Sequence, residues 1–287
     1  MVEQTEIANP ITKTVREFYE ERPFPGYETF DSVSSLIQRA EQGQLARWLD
    51  EQLQPRIVIL DAGCGTGQLA TYLSLSNRRV FGVDLCFNSL QKAKDFRRRF
   101  SLSYLHFCEM DLLRPALRRD FFDCVLSMGV LHHTPDPRSG FHNLVKVLKP
   151  GGYFILGLYN RYGRLGMRWR RFLLHRTGLR AKKIDPLLKK EMRGGDKEEA
   201  WLYDQYFHPH ETVHTVKEVL RWFQEEGLTY LSSMPDIAIF NEGQEHPQLF
   251  SKNRLGSPFE HLLAQISWIF SLNAQGGLFI LIGQKPV

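Results

Sequence analysis

The sequence predicts a doubly wound α/β domain on a mostly parallel sheet, and three observations carry that expectation. Short apolar runs rich in β-branched and aromatic residues alternate with segments of helical spacing through the first half of the chain. The first of these runs ends in an acid and passes directly into three closely spaced glycines. The chain has 287 residues, 43% of them hydrophobic and 24% charged. That composition excludes disorder, collagen-like repeats or a coiled coil as a description of the whole. The length suits one large domain or two modest ones.

Taken in order, about fifty residues precede the first strand, and the P-F-P-G-Y from Pro23 to Tyr27 divides them into two predicted helices. Strands are predicted at 57–60, 80–83, 104–107, 122–127 and 153–158, with helices at 68–74, 89–100 and 140–148. That rhythm gives a sheet covered on both faces. The Lys-Pro-Gly-Gly at 149–152 reads as a helix stop and turn. A basic stretch follows, then a helix at 215–226 with Gly227 as its cap, a sixth strand near 229–233 and a last strand at 278–283. One domain is expected, with an N-terminal helical cap (1–54), a cofactor-binding core (55–159), a substrate-facing insert (160–227) and C-terminal strands completing the sheet (228–287).

The nearest approach to a membrane span, 261–283, carries Gln265, Asn273, Gln275 and paired glycines, which hydrocarbon penalises. It reads as a helix followed by a buried strand, so no stable membrane insertion is expected. The N-terminus has acids where a secretory signal has basic and apolar residues. Cys64, Cys86, Cys108 and Cys124 form no CxxC pair and no Cys/His cluster. Reduced core cysteines, no zinc and a cytoplasmic protein are the expectation.

The segment with chemistry is Ile57-Val-Ile-Leu-Asp-Ala-Gly-Cys-Gly-Thr-Gly-Gln68. Asp61 ends an apolar strand, and Gly63, Gly65 and Gly67 let backbone approach a ligand closely at the strand's carboxyl edge. Asp84 ends the second strand, where a carboxylate can accept from both hydroxyls of a ribose. Asp111 follows the third, where an acceptor can meet an adenine amino group. A dinucleotide site competes for such a loop, but it expects G-x-G-x-x-G, and a pyrophosphate would find Asp61 repulsive.

Together these residues resemble the class I S-adenosylmethionine-dependent methyltransferases, with a type 11/25-like core, over roughly 56–158. The resemblance implies a seven-stranded Rossmann-like sheet with the last strand antiparallel, and S-adenosyl-L-methionine as cofactor. It carries cofactor contacts onto Asp61, Gly63, Cys64, Gly65 and Gly67, onto Asp84 and Leu85 for the ribose, and onto Asp111 and Leu112 near adenine. Ser127-Met-Gly-Val-Leu-His-His-Thr-Pro-Asp136 matches the family's fourth-strand signature, which adds Ser127 to the cofactor set. His132 and His133 follow it as candidate catalytic groups, needed as a base only if the acceptor must lose a proton. The implied activity is methyl transfer to a small or medium-sized acceptor, on oxygen, nitrogen or carbon, by in-line displacement.

Substrate contacts are expected from Tyr19 and Tyr27 in the N-terminal segment, from Tyr159 and Asn160 after the fifth strand, and from Tyr203 and Tyr206 in the insert. His208, His210, Glu211 and His214 offer metal-ligating types, with His210 and His214 on one face if a helix starts that early. Without a further ligand at catalytic spacing, no metal is expected.

The net charge is +5, yet residues 161–193 hold twelve Lys/Arg against two acids, so the rest of the chain is net negative. As a helix, the start of this segment gathers Leu165, Trp169, Phe172 and Leu173 near one face, with Arg164, Arg168, Arg171 and Arg176 on the others. A lid over the substrate, hinged at Tyr159 and Asn160, is the expectation. An RNA-directed enzyme using the basic segment, contact with an anionic membrane surface, and a non-catalytic cofactor-binding relative are the alternatives. No N-P-P-Y or D-P-P-Y follows the fourth strand, which argues against methylation of adenine in DNA. The acceptor and the oligomeric state are not legible.

Overall fold

The computed structural model describes residues 9–25, 32–177, 203–239, 247–272 and 276–287. Seven strands form one sheet: β1 (Val58–Ala62), β2 (Arg79–Asp84), β3 (Leu105–Glu109), β4 (Phe122–Met128), β5 (Leu148–Tyr159), β6 (Thr229–Met234) and β7 (Leu278–Gln284). Their order is β3-β2-β1-β4-β5-β7-β6. The first five are parallel, and β7 runs antiparallel to both β5 and β6. The doubly wound sheet with its antiparallel last strand is the one expected. Where the order reverses, between β1 and β4, the helices diverge to opposite faces and leave a crevice at the strands' carboxyl ends.

The helices are α1 (Pro10–Glu21), α2 (Val33–Gln42), α3 (Gln44–Gln52), α4 (Gln68–Ser74), α5 (Phe87–Arg99), α6 (Pro137–Val147), α7 (Leu165–Thr177), α8 (Val216–Glu225) and α9 (Pro258–Ser271). Several starts are written locally. Asp136 accepts from the Ser139 amide at 2.9 Å with Pro137 in the first turn of α6, and Thr215 and Ser257 form capping boxes with Glu218 and Glu260. Two apolar clusters cover the two faces of the sheet. One gathers Phe141, Phe154, Trp222, Phe223 and Trp268; the other gathers Leu49, Leu73, Phe96 and Ile155.

Four local expectations are corrected. The segment before β1 holds three described helices, because Gly43 in an extended conformation ends α2 and begins α3. The turn expected at 149–152 lies inside β5 as a bulge, with Phe122 opposite Leu148 and Cys124 opposite Tyr153. No helix joins His210 to His214: α8 starts at Val216, and His214 instead bridges Asn160 beside the sheet. Cys108 is exposed, whereas the other three cysteines are buried.

The insert is fastened to the sheet by Arg164, which is fully buried. Its guanidinium donates to Glu211 at 2.7 and 3.2 Å, to the Gly276 carbonyl at 2.9 Å and to the Gln205 side chain, and it lies 3.9 Å over the Tyr159 ring. Arg171 meets the same Glu211 at 2.7 Å. Burial alone would raise the Glu211 carboxyl, but the two arginines hold it below its ordinary range. Removing one partner of such a buried pair is far more damaging than removing both. Arg164→Met is therefore expected to lose about 3–5 kcal/mol of stability in urea denaturation. A loss below about 1 kcal/mol, the level of an exposed pair, would show that the insert is held by other contacts.

Candidate active site

A cavity of about 560 Å³ opens at the carboxyl ends of β1, β2 and β4, within the range of small-molecule sites, about 300–1,000 Å³. Of the residues expected at a cofactor, Asp61, Gly63, Cys64, Gly65, Asp84, Leu85, Asp111 and Leu112 line it. Gly67 and Ser127 do not. Gly67 adopts φ +75 as the cap of α4, against the Phe107 ring. Ser127 is buried within β4, and its hydroxyl has no hydrogen-bond partner among the described residues. The residues after it, Met128, Gly129 and Val130, reach the cavity instead.

The glycine loop supplies close approach and no free donors. The amides of Gly63 and Cys64 donate to the Val83 carbonyl at 2.7 and 3.0 Å, Thr66 donates to Phe24 and Gly67 to Cys64. The Gly65 amide donates to Asp84 Oδ2 at 2.7 Å. A side chain at Gly65, φ +53, would run into the Phe24 carbonyl, and one at Gly63, φ +86, into Val130. The N-terminal segment is closed on this loop by a second bond, from Thr66 Oγ1 to the Pro25 carbonyl at 2.6 Å.

Two buried carboxylates face the same space. Burial, then the nearby charge of Asp84, pushes the Asp61 carboxyl up to about 7. Burial also raises Asp84, although the amides of Cys86 and Gly65 oppose it. Asp111 uses Oδ1 to accept from the Leu113 amide at 2.9 Å. A cavity of this kind suits a cation, which removes the repulsion and favours both ionised forms.

At the other end, His132 and His133 sit in a 3₁₀ turn (Leu131–His133) after β4. Only His133 lines the cavity; His132 is fully buried and stacks on Tyr159 at 3.8 Å. The Tyr159 amide donates to His132 Nδ1 at 3.3 Å, and His133 Nδ1 meets the His210 carbonyl at 2.9 Å. A carbonyl only accepts, so His133 carries its proton on Nδ1 and accepts at Nε2 from His132 Nε2, 3.1 Å away. Burial lowers both histidines' pKa, so both are neutral.

The insert adds groups that sequence reasoning missed. In the helical turn 203–207, Asp204 and Gln205 line the cavity, whereas the expected Tyr203 packs under Arg22 and the expected Tyr206 is buried away from it. Asp204 accepts from Tyr19 Oη at 2.6 Å and from Gln205 Nε2 at 2.9 Å. Tyr19 and Tyr159 line the cavity, and Tyr27 lies outside the described residues. Asn160, expected at a hinge facing the cavity, is fully buried. Its amide group meets Gln265, and its carbonyl accepts from the amides of Tyr162 and Gly163. Nor do the described residues of α7 line the cavity; Met167 and Leu174 on its inner side are buried, as is Arg164 just before it. An acid and an amide set among aromatics, Tyr203-Asp-Gln-Tyr206, was the signal available.

Of the metal-ligating types in 208–214, Glu211 belongs to Arg164, and His214 pairs with Glu218 and Thr212. Only His208 joins a ligand-like group, with His133 and Asp204, their polar atoms all within 4.8 Å of one another. The His210 amide donates to His208 Nδ1 at 3.1 Å, so the proton of this neutral ring is on Nε2. A cation needs lone pairs from both imidazoles. In the hydrogen-bonded arrangement present, His133 Nε2 is engaged by His132 and His208 carries an N–H, so both rings would have to give up these roles to ligate a cation.

Residues 60–156 match the family model of the methyltransferase domain. The chain is 30% identical over 202 residues to an uncharacterised protein of Synechococcus sp., covering 62% of this chain and 48% of the relative. It is 33% identical over 106 residues to the ubiquinone biosynthesis O-methyltransferase of Salmonella enteritidis, covering 37% and 44% respectively. The chain thus spans about half the length of the curated relatives it matches. Magnesium protoporphyrin IX methyltransferase from Synechocystis PCC 6803, solved with bound S-adenosylmethionine, superposes with a TM-score of 0.54 at 15% identity, over 98% of this chain and 100% of that one. At that identity the likeness is one of fold.

The raised Asp61 pKa has a consequence that needs no ligand. An acid whose pKa is higher folded than unfolded binds protons more tightly in the native state, so stability falls as pH rises between the two values. For Asp61 that window runs from 3.8 to about 7. Across it the empty protein is expected to lose up to about 4 kcal/mol. Thermal melts of Asp61→Asn should show less of this decline and a higher Tm than wild type at pH 8. Parallel pH curves for the two proteins would mean that Asp61 titrates normally.

Proposed function

We propose that this chain, whose residues 60–156 match the model of a methyltransferase domain, is a class I S-adenosylmethionine-dependent methyltransferase that uses S-adenosyl-L-methionine to methylate a small or medium-sized acceptor by in-line displacement. One observation carries the cofactor assignment: the glycine loop has no free amide, while two buried carboxylates face the cavity. Phosphate-binding loops present unpaired N–H groups to an anion. This loop offers negative charge instead, which suits a sulfonium and an ammonium and repels a pyrophosphate.

S-adenosylmethionine would supply an electrophilic methyl group on a positively charged sulfur. Asp61 gives the cavity a fixed countercharge for such a cation. Each oxygen of Asp84 accepts one amide, from Gly65 and from Cys86, and a carboxylate keeps lone pairs beyond these for ribose hydroxyls. Asp111 holds Leu113 through Oδ1 and leaves Oδ2 for an adenine amino group. The enclosure formed by α1, the helical turn 203–207 and the loop after β4 excludes water and aligns the acceptor, which is the main requirement of a displacement at carbon. The small-acceptor reading is favoured over RNA because Arg164 and Arg171, two of the arginines that motivate an RNA surface, are engaged by Glu211.

Calorimetry should detect binding of S-adenosylmethionine and of its demethylated product. Asp84→Ala should weaken it by about 1.5–3 kcal/mol, the range for hydrogen bonds to a charged group. Wild-type affinity for the cationic cofactor should climb with pH through about 7, because below that value binding has to release the Asp61 proton. Asp61→Asn should flatten the climb. Binding of NAD with no response to S-adenosylmethionine would remove the proposal.

A further inference from the structure

Exposed apolar side chains are not scattered over this molecule. Nine of the fifteen large hydrophobic residues exposed among the described residues lie on two helices, α7 and α9. These helices pack on one another, and Gly163, just before α7, lies against Leu272, just after α9. On α9 the outer face is formed by Phe259, Leu262, Leu263, Ile266 and Phe270, at the spacing of one helical stripe. Phe259 is 67% exposed and Phe270 82%. Ala264, Gln265 and Trp268 fill the inner face. The helix has no Lys or Arg, and its one acid, Glu260, is buried and paired with Arg254. Its outer face is therefore free of charge.

α7 adds positive charge to the same pattern. Leu165, Trp169, Phe172 and Leu173 are exposed, and the Trp169 ring stacks on Phe172 with centroids 5.7 Å apart. Arg168 and Arg176, both exposed, stand one turn to either side of Phe172. In the sequence the basic run continues to Arg193, beyond the described part of the helix. Apolar side chains massed on one surface are unfavourable in water and mark a place where something covers them.

We propose that this surface docks on an anionic phospholipid membrane, with α7 and α9 lying in the plane of the headgroups. The apolar stripe enters the boundary between headgroups and acyl chains, a depth of about 5–10 Å. Trp169 suits that boundary, and the stems of Arg168 and Arg176 reach from it to the lipid phosphates. α9 has 14 residues, whereas crossing the hydrocarbon takes about 20, so the contact is interfacial. Charge selects this occupant over two others. A nucleic acid would meet the arginines but leave the uncharged stripe of α9 in water. A second copy docked through the same face would bring two basic segments together, and like charges repel. An anionic bilayer covers the apolar stripe and neutralises the arginines at once.

The test floats the chain with vesicles of phosphatidylcholine alone and of phosphatidylcholine with about one-third phosphatidylglycerol. Binding to the anionic vesicles is expected to be stronger by about tenfold or more, and to weaken as salt is raised. The double variant Phe259→Asp/Phe270→Asp should lose about tenfold or more of that binding. Arg168→Gln and Arg176→Gln should each lose about fivefold. All four positions are exposed, so the variants should melt within about 2 °C of wild type, which reports that they fold. Lipids brominated on their acyl chains should quench tryptophan fluorescence, and Trp169→Phe should reduce the quenching. Equal binding to both vesicles, binding to neither, or anionic binding that the phenylalanine variant leaves intact would overturn the proposal. So would a concentration-dependent dimer that Phe270→Asp dissociates, which would assign the face to a second copy.

Discussion

A single buried guanidinium holds the two halves of the cavity in register. Arg164 sits just past β5 and engages Glu211 and Gln205 from the insert, the carbonyl of Gly276 before β7, and the face of Tyr159. Gln205 and Tyr159 themselves line the cavity, and Gly276 lies two residues before Leu278, which also does. A cation in a low-dielectric interior needs all of its donors satisfied, so its demands fix the positions of these groups relative to the sheet. The consequence runs outward from that one charge: Arg164 ties the insert's side of the cavity to the end of β5 and the start of β7.

The cavity lining at the carboxyl ends of β1 and β2 was legible in the sequence because its parts are local. Asp61, the glycines and Asp84 lie on consecutive strands and one intervening helix, and strand ends are marked by the change from apolar run to acid or glycine. The strands were legible because a sheet buried on both faces leaves near-continuous apolar runs. Misreadings arose where one signal served two structures. Pro-Gly-Gly at 150–152 reads as a turn but forms a bulge inside β5, and a lone glycine at 43 ended one helix only to begin the next.

The insert's side of the cavity was illegible for a different reason. Tyr203 and Tyr206 were the conspicuous residues, but in a helical turn a shift of one position rotates the inward side by about 100°. Asp204 and Gln205 therefore face the cavity instead. Periodicity cannot assign phase to so short a helix, and its docking is set by Arg164 and Tyr19, which are remote in sequence. Asn160 failed similarly: a polar residue after a strand looks catalytic, yet here it satisfies the backbone of the turn that follows.

The glycine loop, with every amide from Gly63 to Gly67 already paired, bears on the entropy of recognition. A segment whose backbone is fixed before a ligand arrives has little conformational freedom left to lose. The ordering that accompanies binding must then fall on side chains around the cavity rather than on the loop beneath it. A ligand that lies on this loop therefore meets a surface set in advance, with the cost of ordering its backbone already met in folding.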